Sequence, residues 1–220
     1  MSKINMMNGD CMEYMASLPD NAYELAIVDP PYGIDLANMN MGIGKSKKAS
    51  KIENRKWENK SWDINVPEAI FFNELFRVSA NQIIWGGNYF NIPPTNHFII
   101  WDKQIPNGLS FSDCEMAWTS FSKSHRMFRY SAYLDKQNKF HPTQKPVALY
   151  KWLLKNYAKP GDKILDTHGG SGSICIACHD MGFDLDWVEL DEDYYNAAIK
   201  RFNTHTAQGS LFEFEGGNIA

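Results

Sequence analysis

Leu25-Ala26-Ile27-Val28-Asp29-Pro30-Pro31-Tyr32 joins a short apolar run to a turn through which neither strand nor helix can continue. Four apolar residues without polar alternation read as a strand buried on both faces, the pattern of a parallel sheet. The two prolines fix φ and remove backbone donors, so the chain turns abruptly at the carboxyl end of that strand. The turn carries a carboxylate, carbonyls with no competing N–H beside them, and an aromatic face. In an open α/β sheet this edge is where ligands bind. An acceptor pair beside a stacking surface suits a flat heterocycle with an exocyclic amine. The same four residues would also serve as a Pro-rich turn that merely caps a strand, so the neighbouring elements have to decide.

Upstream, Met6 to Asp10 reads as a strand ending in the turn Asn8-Gly9-Asp10, and Cys11 to Ser17 has helical spacing. Asp10 and Asp29 are thereby expected at the same edge of adjacent strands, where either alone could be a helix cap. Downstream, Pro67 to Val78 reads as an amphipathic helix. Strands are expected at Asn81 to Trp85, His97 to Trp101 and Cys114 to Thr119, and a helix at Val147 to Tyr157. Trp85, Tyr89, Phe90, Trp101 and Trp118 are expected as core aromatics, one or two of them lining a pocket for a base.

Lys163 to Leu165 forms a further strand ending at Asp166, and Gly169-Gly170-Ser171-Gly172-Ser173 opens a helix through Met181. Glycines at a strand-to-helix turn let the backbone approach a ligand closely, and the helix start adds a positive partial charge. Asp184 to Val188 is the next strand, with Glu189 at its end, where an acid can accept from both ribose hydroxyls as in dinucleotide folds. A last helix spans Tyr194 to Phe202, and the tail from Gln208 is expected to be loosely ordered.

With 220 residues, 44% of them apolar, the chain suits one α/β domain with a substantial core. No apolar run is long enough for a membrane span, and the start lacks the apolar core of a signal peptide. Four cysteines at irregular positions fit a reduced, cytoplasmic setting, and Cys175 and Cys178 read as small core residues rather than zinc ligands. The net charge of −4 argues against indiscriminate nucleic-acid binding, yet Lys45 to Lys60 holds seven basic residues against two acids. Residues 36–62 are expected to form a mobile basic loop that clamps phosphates through Lys45, Lys47, Lys48 and Lys51. A second basic stretch at 120–140 interleaves Arg126 and Arg129 with aromatics, which fits phosphate and base contacts, or equally an amphipathic edge strand.

Three separated motifs agree in order: Asp29-Pro30-Pro31-Tyr32, His141-Pro142-Thr143-Gln144-Lys145-Pro146, and the turn from Asp166. In that arrangement the chain resembles the S-adenosylmethionine-dependent DNA amino-methyltransferases, adenine-N6 type, of the permuted beta class. The resemblance covers about Met7 to Phe202 and implies a doubly wound, mostly parallel Rossmann-like sheet with inserted loops for DNA recognition. It implies that Asp29, Pro30, Pro31 and Tyr32 are catalytic, with Asp29 also bordering the cofactor. It further implies that Asp10 contacts the cofactor's adenine and Glu189 its ribose. Asp166, Gly170, Ser171 and Gly172 would hold the methionine part, and Thr143 and Lys145 its carboxylate. Double-stranded DNA is the implied partner, in the cytoplasm of a bacterial or phage-infected cell, within restriction–modification. The short 120–140 segment fits a short target or a second subunit of a homodimer. The methyl of a sulfonium is already activated, so no metal is expected.

One departure stands out. The family's cofactor turn usually reads Asp-Pro-Phe-x-Gly-Ser-Gly-Thr, whereas Thr167 and His168 stand here for Pro and Phe. A looser turn and a polar ring against the cofactor are the expected consequences, with weaker affinity or an altered pH dependence. Cytosine-N4 methylation uses the same geometry on a smaller ring, but a Ser at the first motif position is commoner for it.

Overall fold

A computed structural model of the chain describes residues 2–33, 66–105, 112–132, 134 and 139–216. The expected basic loop, with Lys45, Lys47, Lys48 and Lys51, lies outside the described residues. The elements run β1 (Ile4–Asn8), α1 (Cys11–Ala16), β2 (Tyr23–Val28), α2 (Ala69–Val78), β3 (Ser79–Trp85) and β4 (Phe98–Asp102). They continue through β5 (Cys114–Thr119), β6 (Arg126–Arg129), α3 (Val147–Tyr157), β7 (Lys163–Asp166), α4 (Ser173–Met181), β8 (Asp184–Glu189) and α5 (Glu192–Gly216).

The strands form one sheet in the order β1-β8-β7-β2-β3-β5-β4-β6. Only β5 runs against its neighbours, and the other pairs are parallel. β2, buried almost throughout, sits between β7 and β3 at the centre, which is why it carries an unbroken apolar run. Its alternate residues face opposite layers. Leu25 and Ile27 join Ile83, Trp85 and the Leu149, Leu153 and Leu154 face of α3, while Ala26 and Val28 join Met15 of α1 and Phe71, Phe72 and Leu75 of α2. Each fully buried leucine of α3 contributes about 1.5–3 kcal/mol. The architecture is the doubly wound α/β sheet that the element pattern implies.

Two expectations are corrected. β1 and β2 are not adjacent: β8 and β7 lie between them. The chain leaves β1 by a crossover and returns with its last two strands to fill the gap, so Glu189 and Asp166 stand between Asp10 and Asp29. The last helix also runs on to Gly216 instead of ending at Phe202. Asp191 caps its start, accepting from the backbone N–H groups of Asp193 and Tyr194. No proline interrupts its later turns, so the tail expected to be loosely ordered from Gln208 is helical as far as Gly216.

The second basic stretch contains an edge strand. β6 pairs in parallel with β4, Arg126 opposite Ile99 and Arg129 opposite Asp102. Both arginines are exposed. Three residues apart on a strand, they point to opposite faces of the sheet, and Arg129 pairs loosely with Asp102 at 3.5 Å. No helix of the described residues is long and apolar enough to cross a membrane.

Candidate active site

Four carboxylates converge at the carboxyl edge of neighbouring strands: Asp10 after β1, Glu189 at the end of β8, Asp166 at the end of β7 and Asp29 after β2. They surround a cavity of about 290 Å³ whose walls include Asp10, Asp29, Thr143, Lys145, Gly170, Ser171 and Glu189. A wider, shallower depression of about 830 Å³ lies at the other end of β3, among Ser79, Gln82, Pro93 and Trp118, far from these acids.

Each acid is held by its element. Asp10 caps α1, its Oδ1 accepting from the Met12 N–H at 2.6 Å. Glu189 accepts from the Gly170 N–H at 2.6 Å and the Asp191 N–H at 2.8 Å, so it shapes the glycine turn it faces. Asp166 is buried beneath that turn and accepts from the His168 N–H at 3.1 Å. Burial pushes the Asp166 carboxyl up to about 8, helped by the charges of Asp29 and Glu189. Burial raises Glu189 as well. Acids crowded into one dry recess favour a cation.

The glycine turn is shaped for close approach. Gly170 and Gly172 have φ of +50° and +67°, which side-chain-bearing residues rarely adopt. A Cβ on Gly169 would lie 1.9 Å from the Trp187 indole, so that position has no room for one. Arg201 of α5 fastens the turn from behind, donating to the Ser171 carbonyl at 2.9 Å and the Ser173 hydroxyl at 2.8 Å. His168 packs edge-on against Phe71 with ring centroids 5.0 Å apart, and burial lowers its pKa to about 4. It is therefore a neutral aromatic ring at physiological pH, packed against α2. His141, which burial lowers to about 3, likewise stays neutral, its ring edge on Tyr194 and its Nδ1 paired with the Thr143 hydroxyl at 3.1 Å.

At the Asp29 end the arrangement changes from cradle to clamp. The Tyr32 hydroxyl donates to Asp29 Oδ1 at 2.6 Å, and the Lys145 ammonium donates to Oδ2. Tyr89 stacks on Tyr32 at 5.0 Å between centroids with 13° between planes, and Phe90 meets it edge-on. Of the five aromatics expected in the core, Trp85, Trp101 and Trp118 are buried there, whereas Tyr89 is 48% exposed and backs Tyr32. Gly86 makes this possible: with φ of +68°, a Cβ there would lie 2.2 Å from a Tyr32 ring carbon.

Lys145, expected at the cofactor's carboxylate, is paired with acids of the protein itself. Its side chain is 1% exposed, and besides Asp29 it contacts Glu115 Oε2 at 3.2 Å. Glu115 is an acid that sequence reasoning passed over. Its signal was available, as the one charged residue within the strand Cys114–Thr119. Cys175 and Cys178 are buried in the core on α4.

A DNA methylase family profile matches residues 38–200. The chain belongs to the DNA methylase family. Among similar proteins, a putative methylase, YubD, of Escherichia coli strain K12 is 24% identical over 213 residues, covering 89% of this chain and 88% of that one. The cytosine-N4-specific PvuII DNA methyltransferase shares the fold with a TM-score of 0.60 at 15% identity, over 92% of this chain and 87% of that one. The M1.HpyAVI–SAM complex aligns with a TM-score of 0.57 at 20% identity, over 90% and 99% of the two chains. This DNA methylase therefore uses S-adenosylmethionine as methyl donor, and its family spans both N6 and N4 acceptors. The recess fits that donor. It is lined by carboxylates that want a cation, and Gly169 and Gly170 leave backbone where a side chain would stand.

Proposed function

We propose that the enzyme methylates the exocyclic N6 of an adenine turned out of double-stranded DNA, with Asp29 as the residue that receives the amine. S-Adenosylmethionine, when bound, supplies a methyl group on a positively charged sulfur. Asp10 would accept from its adenine and Glu189 from its ribose. Asp166 would face the cationic methionine end, with the Gly170–Ser171–Gly172 turn holding the rest of that chain. Thr143 borders the same recess and would meet the methionine carboxylate, whereas Lys145, expected beside it, has its ammonium taken up by Asp29 and Glu115.

The amine's lone pair is delocalised into its ring, which makes it a poor nucleophile. Asp29 and the Pro30 carbonyl would accept its two N–H bonds and draw the lone pair out of conjugation, toward the methyl. As the N–CH₃ bond forms and the S–CH₃ bond breaks, the nitrogen becomes cationic, and its surplus proton passes to the adjacent Asp29 carboxylate and on to solvent. Tyr32, stiffened by Tyr89 and Phe90, stacks on the base once it has left the duplex. Arg126 and Arg129, exposed on the edge strand, would contact DNA phosphates together with Lys45, Lys47, Lys48 and Lys51. The setting is the cytoplasm of a bacterial or phage-infected cell.

The single observation that carries this reading is the Asp29 carboxylate, clamped between Tyr32 and Lys145 at the rim of the acid-lined recess. The choice of adenine rests on Asp, not Ser, at that position. Mass spectrometry of nucleosides from duplexes incubated with enzyme and cofactor tests it. N6-methyladenine as the dominant product is expected, and N4-methylcytosine alone would overturn the choice of base.

A further inference from the structure

Before any substrate arrives each oxygen of Asp29 already accepts one hydrogen bond, from Tyr32 on one side and Lys145 on the other. An incoming amine competes with these donors for the same carboxylate, and the charged ammonium is the stronger competitor. Tyr32 belongs to the same stiff turn. Lys145 comes from the segment before α3, and the sheet supplies it with a second counter-ion.

The register of the strands shows how. Val28 pairs with Ile84, so Asp29 lies level with Trp85, and Trp85 pairs with Ala117 across the next strand. Glu115, two residues before Ala117, shares its face. Asp29, Trp85 and Glu115 therefore share one face at the carboxyl edge of β2, the end of β3 and the start of β5, with Glu115 one same-face step beyond the level of Trp85. The Lys145 ammonium lies along that face, 5.1 Å from the centroid of the Trp85 ring. It touches a carboxylate at each end, Asp29 on one side and Glu115 on the other. Lys103 holds the far oxygen of Glu115 at 3.3 Å, so Glu115 stays in place whichever way Lys145 leans.

We propose that Glu115 is a positioning residue for methyl transfer, the counter-ion that lets the Lys145 ammonium step off Asp29 so that the target amine can take its place. The proposal rests on the reading that Asp29 receives the amine, and it holds for either base. A buried ammonium with a single carboxylate partner would stay locked to it, because leaving would strand a charge in a dry site. With Glu115 present, the ammonium exchanges one carboxylate for another over a polarisable ring, and the exchange costs little.

Replacing Glu115 by glutamine leaves the shape and removes the charge. Burial pushes the Lys145 pKa down, and Asp29 and Glu115 together hold it above the ordinary lysine value. Without Glu115 one of the two carboxylates that hold it up is gone, so the ammonium gives up its proton at lower pH than in wild type, and losing it frees Asp29. The other ionisable groups around it are His141, neutral throughout, Tyr32 and Tyr150, raised well above their ordinary values, and Asp166, raised to about 8. Asp166 titrates in both proteins and the Lys145 charge lowers it, so cofactor affinity is measured at each pH to follow it separately.

The test is single-turnover methyl transfer by wild type, Glu115→Gln and Glu115→Asp at saturating cofactor and duplex, from about pH 7 to about pH 9.5. Cofactor affinity is measured in parallel by calorimetry. Glu115→Gln is expected to lose about tenfold or more at pH 7 with cofactor Kd within about threefold, and the deficit is expected to shrink as pH rises. Glu115→Asp is expected to recover part of the rate. A Glu115→Gln rate equal to wild type overturns the proposal, and so does a deficit that is the same at every pH, which marks a structural role only. A wild type that transfers no methyl to either base removes the reading of Asp29 itself. An active wild type with an indifferent variant removes the role of Glu115 alone.

Discussion

Asp29→Ala is expected to slow methyl transfer by about 10³-fold or more while the Kd for S-adenosylmethionine changes by less than about fivefold. The asymmetry follows from where the side chain sits. Asp29 is at the Tyr32 end of the recess, whereas Asp10, Glu189 and the glycine turn line the remainder and Asp166 lies buried beneath that turn. Removing the carboxylate takes away the acceptor that sharpens the amine's lone pair and the base that takes its proton. The acids that meet the cofactor remain. Lys145 keeps Glu115 as a counter-ion, so the variant is not left with an unpaired buried ammonium. Asp29→Asn, which keeps the shape, is expected to lose nearly as much rate. Single-turnover kinetics with radiolabelled donor, set beside calorimetry, read the two quantities separately. Near-normal transfer in either variant would remove Asp29 from the mechanism.

Gly86→Ala is the second large effect, and it acts on Tyr32 from outside the motif. The new methyl would lie 2.2 Å from the Tyr32 ring at a backbone φ of +68°, so either the ring or the Gly86 backbone must move. The Tyr32–Asp29 hydrogen bond and the Tyr32–Tyr89 stack depend on the present ring position. Methyl transfer is expected to fall by about 10²-fold and stability by about 1–3 kcal/mol, with cofactor affinity kept within about threefold. A thermal melt separates the loss of stability from the loss of rate. Unchanged turnover in a folded Gly86→Ala protein would mean that Tyr32 need not hold its present position.

What the sequence made legible follows from local physics. Strand β2 reads as central because it has no polar alternation, and its end reads as a site because prolines stop it there. The glycine turn after Asp166 and the acid Glu189 announce themselves by type and spacing, and α3 by its apolar face. Pairings between distant segments left no such mark. The separation of β1 from β2 by β8 and β7 is a property of the whole sheet, invisible in Asp10 or Asp29 alone. Glu115 reads as an ordinary strand residue until register places it on the same face as Ala117, the partner of Trp85, and Lys145 reaches across. Tyr89 read as core because aromatics usually are; only the left-handed Gly86 turn brings it onto Tyr32. His168 reads as a polar ring at the cofactor turn, and burial against Phe71 keeps that ring neutral.

A crystal structure of the enzyme with a non-reactive S-adenosylmethionine analogue would test the arrangement most directly. The donor's sulfur is expected in the recess between the strand ends that carry Asp29 and Asp166, with the position of the transferable group turned toward Asp29. The adenosine is expected between Asp10 and Glu189. A donor seated elsewhere, such as the depression at the opposite end of β3, or one whose transferable group points away from Asp29, would contradict the assignment.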